Sequence, residues 1–190
     1  MTELSREELF SKKFKYIDKF KNGALFIHPT DTIYGLGCNA RDETAVNKIR
    51  ILKNRHTQPF AVIAPSKNWI RMNCELPKDQ EKYLEKLPGA YTLILKLKNK
   101  DAISENVNKG LDTIGVRMPD HWFQDFVALL NIPVVSTSVN KTGQEYMTSL
   151  FDLNSHIKRR VDYIIYEGKI EGKPSTLIRL DKEKVEFKER

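Results

Sequence analysis

Apolar and polar positions alternate along this chain in two periods, and the switches between them outline its elements. Ser5-Arg6-Glu7-Glu8 has the form of a capping box, and Phe10, Phe14, Ile17 and Phe20 follow at helical spacing up to Asn22-Gly23. The apolar run Ala24 to Ile27 then predicts a buried strand that stops at His28-Pro29. Asp42 can cap a second helix with Ala45, Val46, Ile49 and Leu52 on its apolar face. Phe60 to Ala64, Tyr91 to Leu97, Thr113 to Met118 and Ile132 to Ser136 read as strands. Asp79 to Leu87 reads as a helix broken by Pro88-Gly89, and 102–111 as a loop with a short helical turn. Asp120 is placed to cap a helix through Trp122, Phe123, Phe126, Val127 and Leu130. Ser149 to Arg160 looks helical. Val161 to Tyr166, Ser175 to Leu180 and a segment from Val185 close the pattern as strands. This alternation predicts one α/β domain over residues 1–190, with a mixed sheet.

The stretch from Ala24 to Ala40, ALFIHPTDTIYGLGCNA, carries the densest chemistry. A strand that runs into a loop of hydroxyls, a carboxylate and a phenol is where an α/β protein places a binding site. Thr30 and Asp31 read equally well as turn formers, since both side chains can bond the local backbone. Gly35 and Gly37 would permit positive φ or a close approach to a ligand. Gly35-x-Gly37-x-x-Ala40 is not a dinucleotide fingerprint: six residues part it from the strand end, and 55–62 offers no carboxylate for a ribose.

Composition narrows the classes. With 190 residues, 40% apolar and 30% charged, the chain is long enough for a core, and it is neither a disordered chain nor a membrane protein. No apolar run is long enough to span a bilayer, and the charged start MTELSREELF does not resemble a signal peptide. Two cysteines and four scattered histidines form no disulfide framework or metal-binding spacing, so the expectation is a cytoplasmic protein without a metal site of its own. A net charge of +7 suits phosphate-bearing partners, although an ordinary basic surface would account for it too.

Small hydroxyl residues recur at strand ends: Thr30 and Thr32, Thr113, Ser136 to Ser138, and Ser175-Thr176. Lys53, Arg55 and Arg117 stand in suitable loops. Together they read as a pocket for an anionic small molecule. No paired carboxylates, partnered nucleophile or Walker A loop accompany them, so catalysis here would rest on positioning and charge.

The segments PTDTIYGLGCNA (29–40), Lys53-Asn54-Arg55, PGAYTLIL (88–95), TIGVRMPDH (113–121), STSVN (136–140) and KPSTLI (173–178) resemble the YrdC family. Its threonylcarbamoyl-AMP synthase branch has both the Lys-x-Arg and the Ser-x-Asn signatures. The resemblance implies a twisted, mixed but largely parallel sheet with flanking helices around a deep basic cavity. It implies a nucleotidyltransferase that makes L-threonylcarbamoyladenylate and pyrophosphate from L-threonine, bicarbonate or CO2, and ATP, for the t6A modification of tRNA at position 37. A separate transferase would complete that modification. Lys53, Arg55, Ser138 and Asn140 take the catalytic positions in this resemblance. Lys53, Arg55, Gln58, Thr113, Ser138, Asn140 and Arg190 correspond to ATP contacts, and Thr32, Arg117, Ser136 and Ser175 to threonine contacts. Mg2+ would arrive with ATP, with no permanently bound cofactor and no metal ligands. Direct contact with tRNA or double-stranded RNA is a further partner the charge allows.

The chain departs from the family pattern in places. Gln58 stands before Pro59 where relatives have Asn, 61–64 lacks their His, and no glycine follows Arg190. Two other readings are open: an RNA-binding module on the same fold, and a carbamoyl-transferring relative of the hydrogenase-maturation type. The first predicts salt-dependent RNA affinity without ATP turnover. The second normally brings zinc-finger-like and acylphosphatase-like domains.

Overall fold

In four strands, neighbouring side chains leave for opposite cores, and this alternation organises the molecule. Ile27, Val62, Val135 and Ile164 join one apolar cluster, whereas Phe26, Ile63, Val134 and Ile165 join a second. A sheet with both faces apolar must be covered on both sides, and helices supply the covers. The computed structural model describes residues 1–189, so the expected role of Arg190 lies outside the described residues.

Ten strands form one sheet in the order β1-β8-β2-β3-β7-β4-β6-β5-β9-β10. They are β1 (Thr2–Leu4), β2 (Phe26–His28), β3 (Gly35–Gly37), β4 (Ala61–Ile63) and β5 (Tyr91–Lys96), then β6 (Thr113–Arg117), β7 (Val134–Ser138), β8 (Tyr163–Ile165), β9 (Thr176–Arg179) and β10 (Glu186–Lys188). Helices α1 (Arg6–Ser11), α2 (Lys13–Lys21) and α6 (Phe123–Leu130) bury Leu9, Phe20, Phe123 and Phe126 against one face. Helices α3 (Glu43–Lys53) and α4 (Lys67–Asn73) bury Val46, Ile49 and Ile70 against the other. Short helices α5 (Glu105–Asn108) and α7 (Ser155–Lys158) fill connections.

The expected caps form. Ser5 Oγ accepts from the Glu8 amide at 3.1 Å while Glu8 accepts from the Ser5 amide at 3.1 Å, and Asp42 Oδ1 accepts from the Ala45 amide at 2.9 Å.

Several expectations need correction. The sheet is mixed but not largely parallel, since β1–β8, β2–β8, β4–β6 and β5–β9 are parallel and the other five pairings antiparallel. Gly35–Gly37, read as loop, is strand β3, paired antiparallel with β2. Strand β1 and helix α4 were not foreseen. Phe14 is 80% exposed rather than facing the core. The segment 79–87 contains a 3-10 helix, Glu81–Lys86. Asp120 does not cap α6, whose N-cap is Trp122. The helix expected over Ser149 to Arg160 shrinks to α7. The Asp152 carboxylate takes the amides and hydroxyls of Thr148 and Ser149 at 2.7 to 3.1 Å, and such local bonds compete with a helical turn.

Candidate functional site

The hairpin between β2 and β3 is tied by Thr30, whose hydroxyl accepts from the amides of Thr32 (3.1 Å) and Ile33 (3.2 Å) and donates to the Ile33 carbonyl (2.7 Å). Thr30 is thus the turn former. Asp31 is not: it leaves the hairpin and meets Arg117 at the end of β6. Arg117 Nη2 donates to Asp31 Oδ1 at 2.5 Å and to Thr32 Oγ1 at 3.2 Å, and Asp31 Oδ2 accepts from the Asp120 amide at 2.9 Å. Arg117 is 6% exposed, and its Nε–H is buried without a protein acceptor. Burial lowers the guanidinium's pKa and the Asp31 charge pushes back, so the pair holds a cation inside the protein.

Helix α3 delivers the second cation. It ends at Asn54 in the left-handed conformation (φ 51°), which turns the chain so that the Arg55 amide donates back to the Arg50 carbonyl at 2.9 Å. Arg55 Nη2 donates to the Pro59 carbonyl at 2.7 Å, its guanidinium lies 5.3 Å from the centre of the Phe60 ring, and its Nε–H is buried without an acceptor. Arg50 lies 4.5 Å from the same ring centre. It donates to the carbonyls of Asn106 (2.6 Å), Arg55 (2.9 Å), Gln58 (3.0 Å) and Val107 (3.1 Å). One buried guanidinium therefore fixes the loop that presents the other.

Arg55 and Arg117 line the same cavity of about 240 Å³, with Ser136, Ser138, Ser175 and Thr92 among the other lining residues and no carboxylate. Ser136 and Ser138 are alternate residues of β7, so strand geometry points both to one face. Ser175 Oγ and Thr92 Oγ1 are 2.7 Å apart. Gly35 forms part of the wall. Its backbone is extended, and its need for a bare Cα is steric: a Cβ there would lie 2.5 Å from the ring of His28 directly behind it.

A strap from Glu167 to Pro174 packs on the β2–β3 hairpin and reaches the cavity wall at Pro174. The Tyr34 hydroxyl donates to the Gly168 carbonyl (2.7 Å) and the Tyr146 hydroxyl to the Gly172 carbonyl (3.1 Å). At Gly172 a Cβ would fall 1.9 Å from the Thr32 carbonyl oxygen, so strap and hairpin touch backbone to backbone.

The remaining candidate residues divide. Thr32 stands behind Arg117. Lys53 and Asn140 stand behind Ser138: Lys53 is 1% exposed and is not on the cavity wall. Its ammonium donates to the Ser138 carbonyl, to the Asn140 carbonyl at 2.7 Å and to Asn140 Oδ1 at 2.8 Å. Burial first, and the Arg55 charge second, lower its pKa to about 7. Gln58 and Thr113 do not line the cavity. Thr113 does not sit beside Arg117 as expected; it opens β6 while Arg117 ends it, about 13 Å away at strand rise. Sequence reasoning missed Arg50, the Asp31 pairing, and Thr92 and Tyr146 on the wall, whereas the Tyr34 phenol, expected in the binding loop, does line the cavity. Tyr146 carries no spacing signal.

Comparison with known proteins identifies the family. The Sua5/YciO/YrdC family model, described as "Telomere recombination", matches residues 18–189. A Methanocaldococcus jannaschii protein named "Putative threonylcarbamoyl-AMP synthase" is 35% identical over 96% of this chain and 87% of its own length. The Pyrococcus abyssi threonylcarbamoyl-AMP synthase is 32% identical over 92% of this chain but 53% of its own length. The crystal structure of P. abyssi Sua5 complexed with L-threonine superposes with a TM-score of 0.86 and 28% identity, over 98% of this chain and 56% of that one. The chain thus spans about half of the Pyrococcus protein. A family match over nearly the whole sequence and a relative matched along most of its own length place this chain in the Sua5/YciO/YrdC family.

Proposed function

We propose that this protein is a threonylcarbamoyl-AMP synthase, a nucleotidyltransferase that joins L-threonine, bicarbonate and ATP to give threonylcarbamoyladenylate, pyrophosphate and water. The observation that carries this reading is a pair of guanidiniums, the buried Arg117 and the half-buried Arg55, on one hydroxyl-rich wall without a carboxylate among the described residues. Each has a buried Nε–H that no atom of the described residues accepts. Arginine forks suit carboxylates and phosphates, and two of them in one hollow suit a substrate pair with an anion at each end.

In this reading Arg117, steadied by Asp31 and Thr32, takes the threonine carboxylate. Arg55 takes phosphate oxygens of ATP. Ser136, Ser138, Ser175 and Thr92 offer short donors and acceptors to the atoms between. Threonine's amine and bicarbonate form a carbamate with loss of water. The carbamate oxygen attacks the α-phosphorus while the bond to the bridging oxygen of pyrophosphate breaks. Such transfer needs alignment and fixed positive charge rather than a covalent nucleophile. Among the described residues no group of three or more His, Cys, Asp or Glu side chains could hold a metal ion, so Mg2+ would enter on the phosphates.

The proposal extends to one YrdC-like domain over 1–190, a cytoplasmic location, delivery of the adenylate to a separate t6A transferase, and direct tRNA or double-stranded RNA contact by the basic surface. Among the described residues no helix is long and apolar enough to cross a membrane. Pyrophosphate release measured with ATP, L-threonine and bicarbonate, each omitted in turn, tests the reaction. Release should require all three. Release that persists without threonine overturns it.

A further inference from the structure

Helix α3 ends against the loop that follows β7, and the contact is made twice over. The Lys53 carbonyl, left without a helical partner, accepts from the Thr142 amide and from Thr142 Oγ1, both at 3.0 Å. The Lys53 ammonium reaches the same loop two residues earlier. An ammonium has three N–H donors, and three acceptors meet this one: the carbonyls of Ser138 and Asn140, and Asn140 Oδ1. Its hydrogen-bonding capacity is filled by protein, and its side chain is sealed from the cavity.

The consequence falls on the loop's side chains. Asn140 Oδ1 accepts from Lys53 and also from Ser138 Oγ, at 2.7 Å. Asn140 Nδ2 then donates to the Gln144 carbonyl at 2.6 Å. The ammonium thereby settles which way the Asn140 amide faces. That choice sets the direction of the Ser138 hydroxyl proton, and Ser138 is on the cavity wall.

We propose that Lys53 is a positioning residue: its buried ammonium clamps the 138–142 loop and orients Ser138 and Asn140, and it does not itself bind the triphosphate. The role of Ser138 as a substrate contact rests on the function proposed above. The clamp does not, because it is a property of the protein without ligand.

The test compares Lys53→Met and Lys53→Arg with the parent protein. Amide hydrogen exchange is followed at Asn140, Thr142, Gln144 and Met147, whose N–H groups all bond within this region or to Lys53. In ligand-free Lys53→Met these amides should exchange about tenfold faster or more, the factor that corresponds to losing one hydrogen bond to a charged group. Amides in the centres of β5 and β6 should not change. The kcat for pyrophosphate release should fall with a smaller change in KM for ATP, because the loss is one of alignment. Lys53→Arg keeps the charge, but its planar fork cannot meet three acceptors that converge on one nitrogen, so it should fail to restore either readout.

Unchanged loop exchange in Lys53→Met with a raised KM for ATP would overturn the clamp in favour of a direct phosphate ligand. So would recovery of activity by Lys53→Arg. If Lys53→Met does not fold, the arginine variant decides. Fast loop exchange in a protein without pyrophosphate release would uphold the clamp and refute the proposed reaction.

Discussion

The imidazole behind the cavity wall makes the protein's stability depend on acidity in a calculable way. His28 is fully buried and stacks on Phe123 with ring centres 4.7 Å apart and an interplanar angle of 8°. Nδ1 faces the Pro29 carbonyl at 3.2 Å and so carries the hydrogen, which leaves Nε2 bare, buried and without a partner. A second proton would have to enter at Nε2. Burial is the main cause that lowers the pKa from 6.5 to about 3; the Pro29 bond opposes it, and the Arg117 and His121 charges add to it. The unfolded chain binds a proton below pH 6.5 and the folded protein does not until about pH 3, so stability falls as pH falls through that window. At about 1.36 kcal/mol per pH unit, the two units between 6.5 and 4.5 cost about 2.7 kcal/mol. Urea unfolding at pH 7 and pH 4.5 measures the loss in the parent and in His28→Phe. The phenylalanine keeps the stack and cannot titrate, and its fixed packing cost is the same at both pH values. The parent should lose about 2.7 kcal/mol more than the variant between the two. Equal losses would show that the imidazole charges freely in place, and the reasoning from burial would fail.

Other outcomes follow from the same contacts. Arg55→Ala should lower pyrophosphate release about 10²–10³-fold while the unfolding midpoint barely moves, since its one side-chain hydrogen bond goes to a neighbouring loop carbonyl. Asp31→Ala leaves the Arg117 cation buried without its counter-charge and should cost about 3–5 kcal/mol in chemical unfolding, with Asp31→Asn costing less because it still offers an acceptor. Gly172→Ala forces the strap off the Thr32 backbone and should cost about 1–3 kcal/mol, with a parallel loss of turnover, read by thermal unfolding and by pyrophosphate release.

Much of this fold was legible because its local signals agree with one another. The Ser5 and Asp42 caps, the apolar face of α3, the alternation of β5 and the apolar residues of β6 and β7 each rest on side chains that announce their place in the sequence. What stayed hidden had no such side chains. Strand β3 is two glycines and a leucine, so no alternation marks it, and the reason for Gly35 is a ring on the next strand. Thr148 and Ser149 belong to a helical pattern until the Asp152 carboxylate captures their amides.

At the site, the sequence brought Arg55, Arg117, Ser136, Ser138 and Ser175 to one wall, and these do line one cavity. Thr113 and Gln58 do not, because strand length and loop direction, rather than residue type, decide where they stand. Lys53 read as one of the pocket's cations, and Arg50 carried no site signal at all. Their work is in long-range bonds to backbone carbonyls, and a carbonyl has no letter in a sequence.

The sheet order bears on how such a site comes into being at the ribosome. Its wall gathers residues from Ile33 to Ser175, and Ser175 is carried in by β9, whose parallel neighbour is β5. Strand β1 (Thr2–Leu4) pairs, among the described residues, with the late strand β8. A nascent chain can form hairpins and helices early, yet this hollow lacks part of its wall until Ser175 has emerged. A product truncated before Ser175 would therefore lack part of this wall, and the cavity would be completed in one late step rather than by degrees.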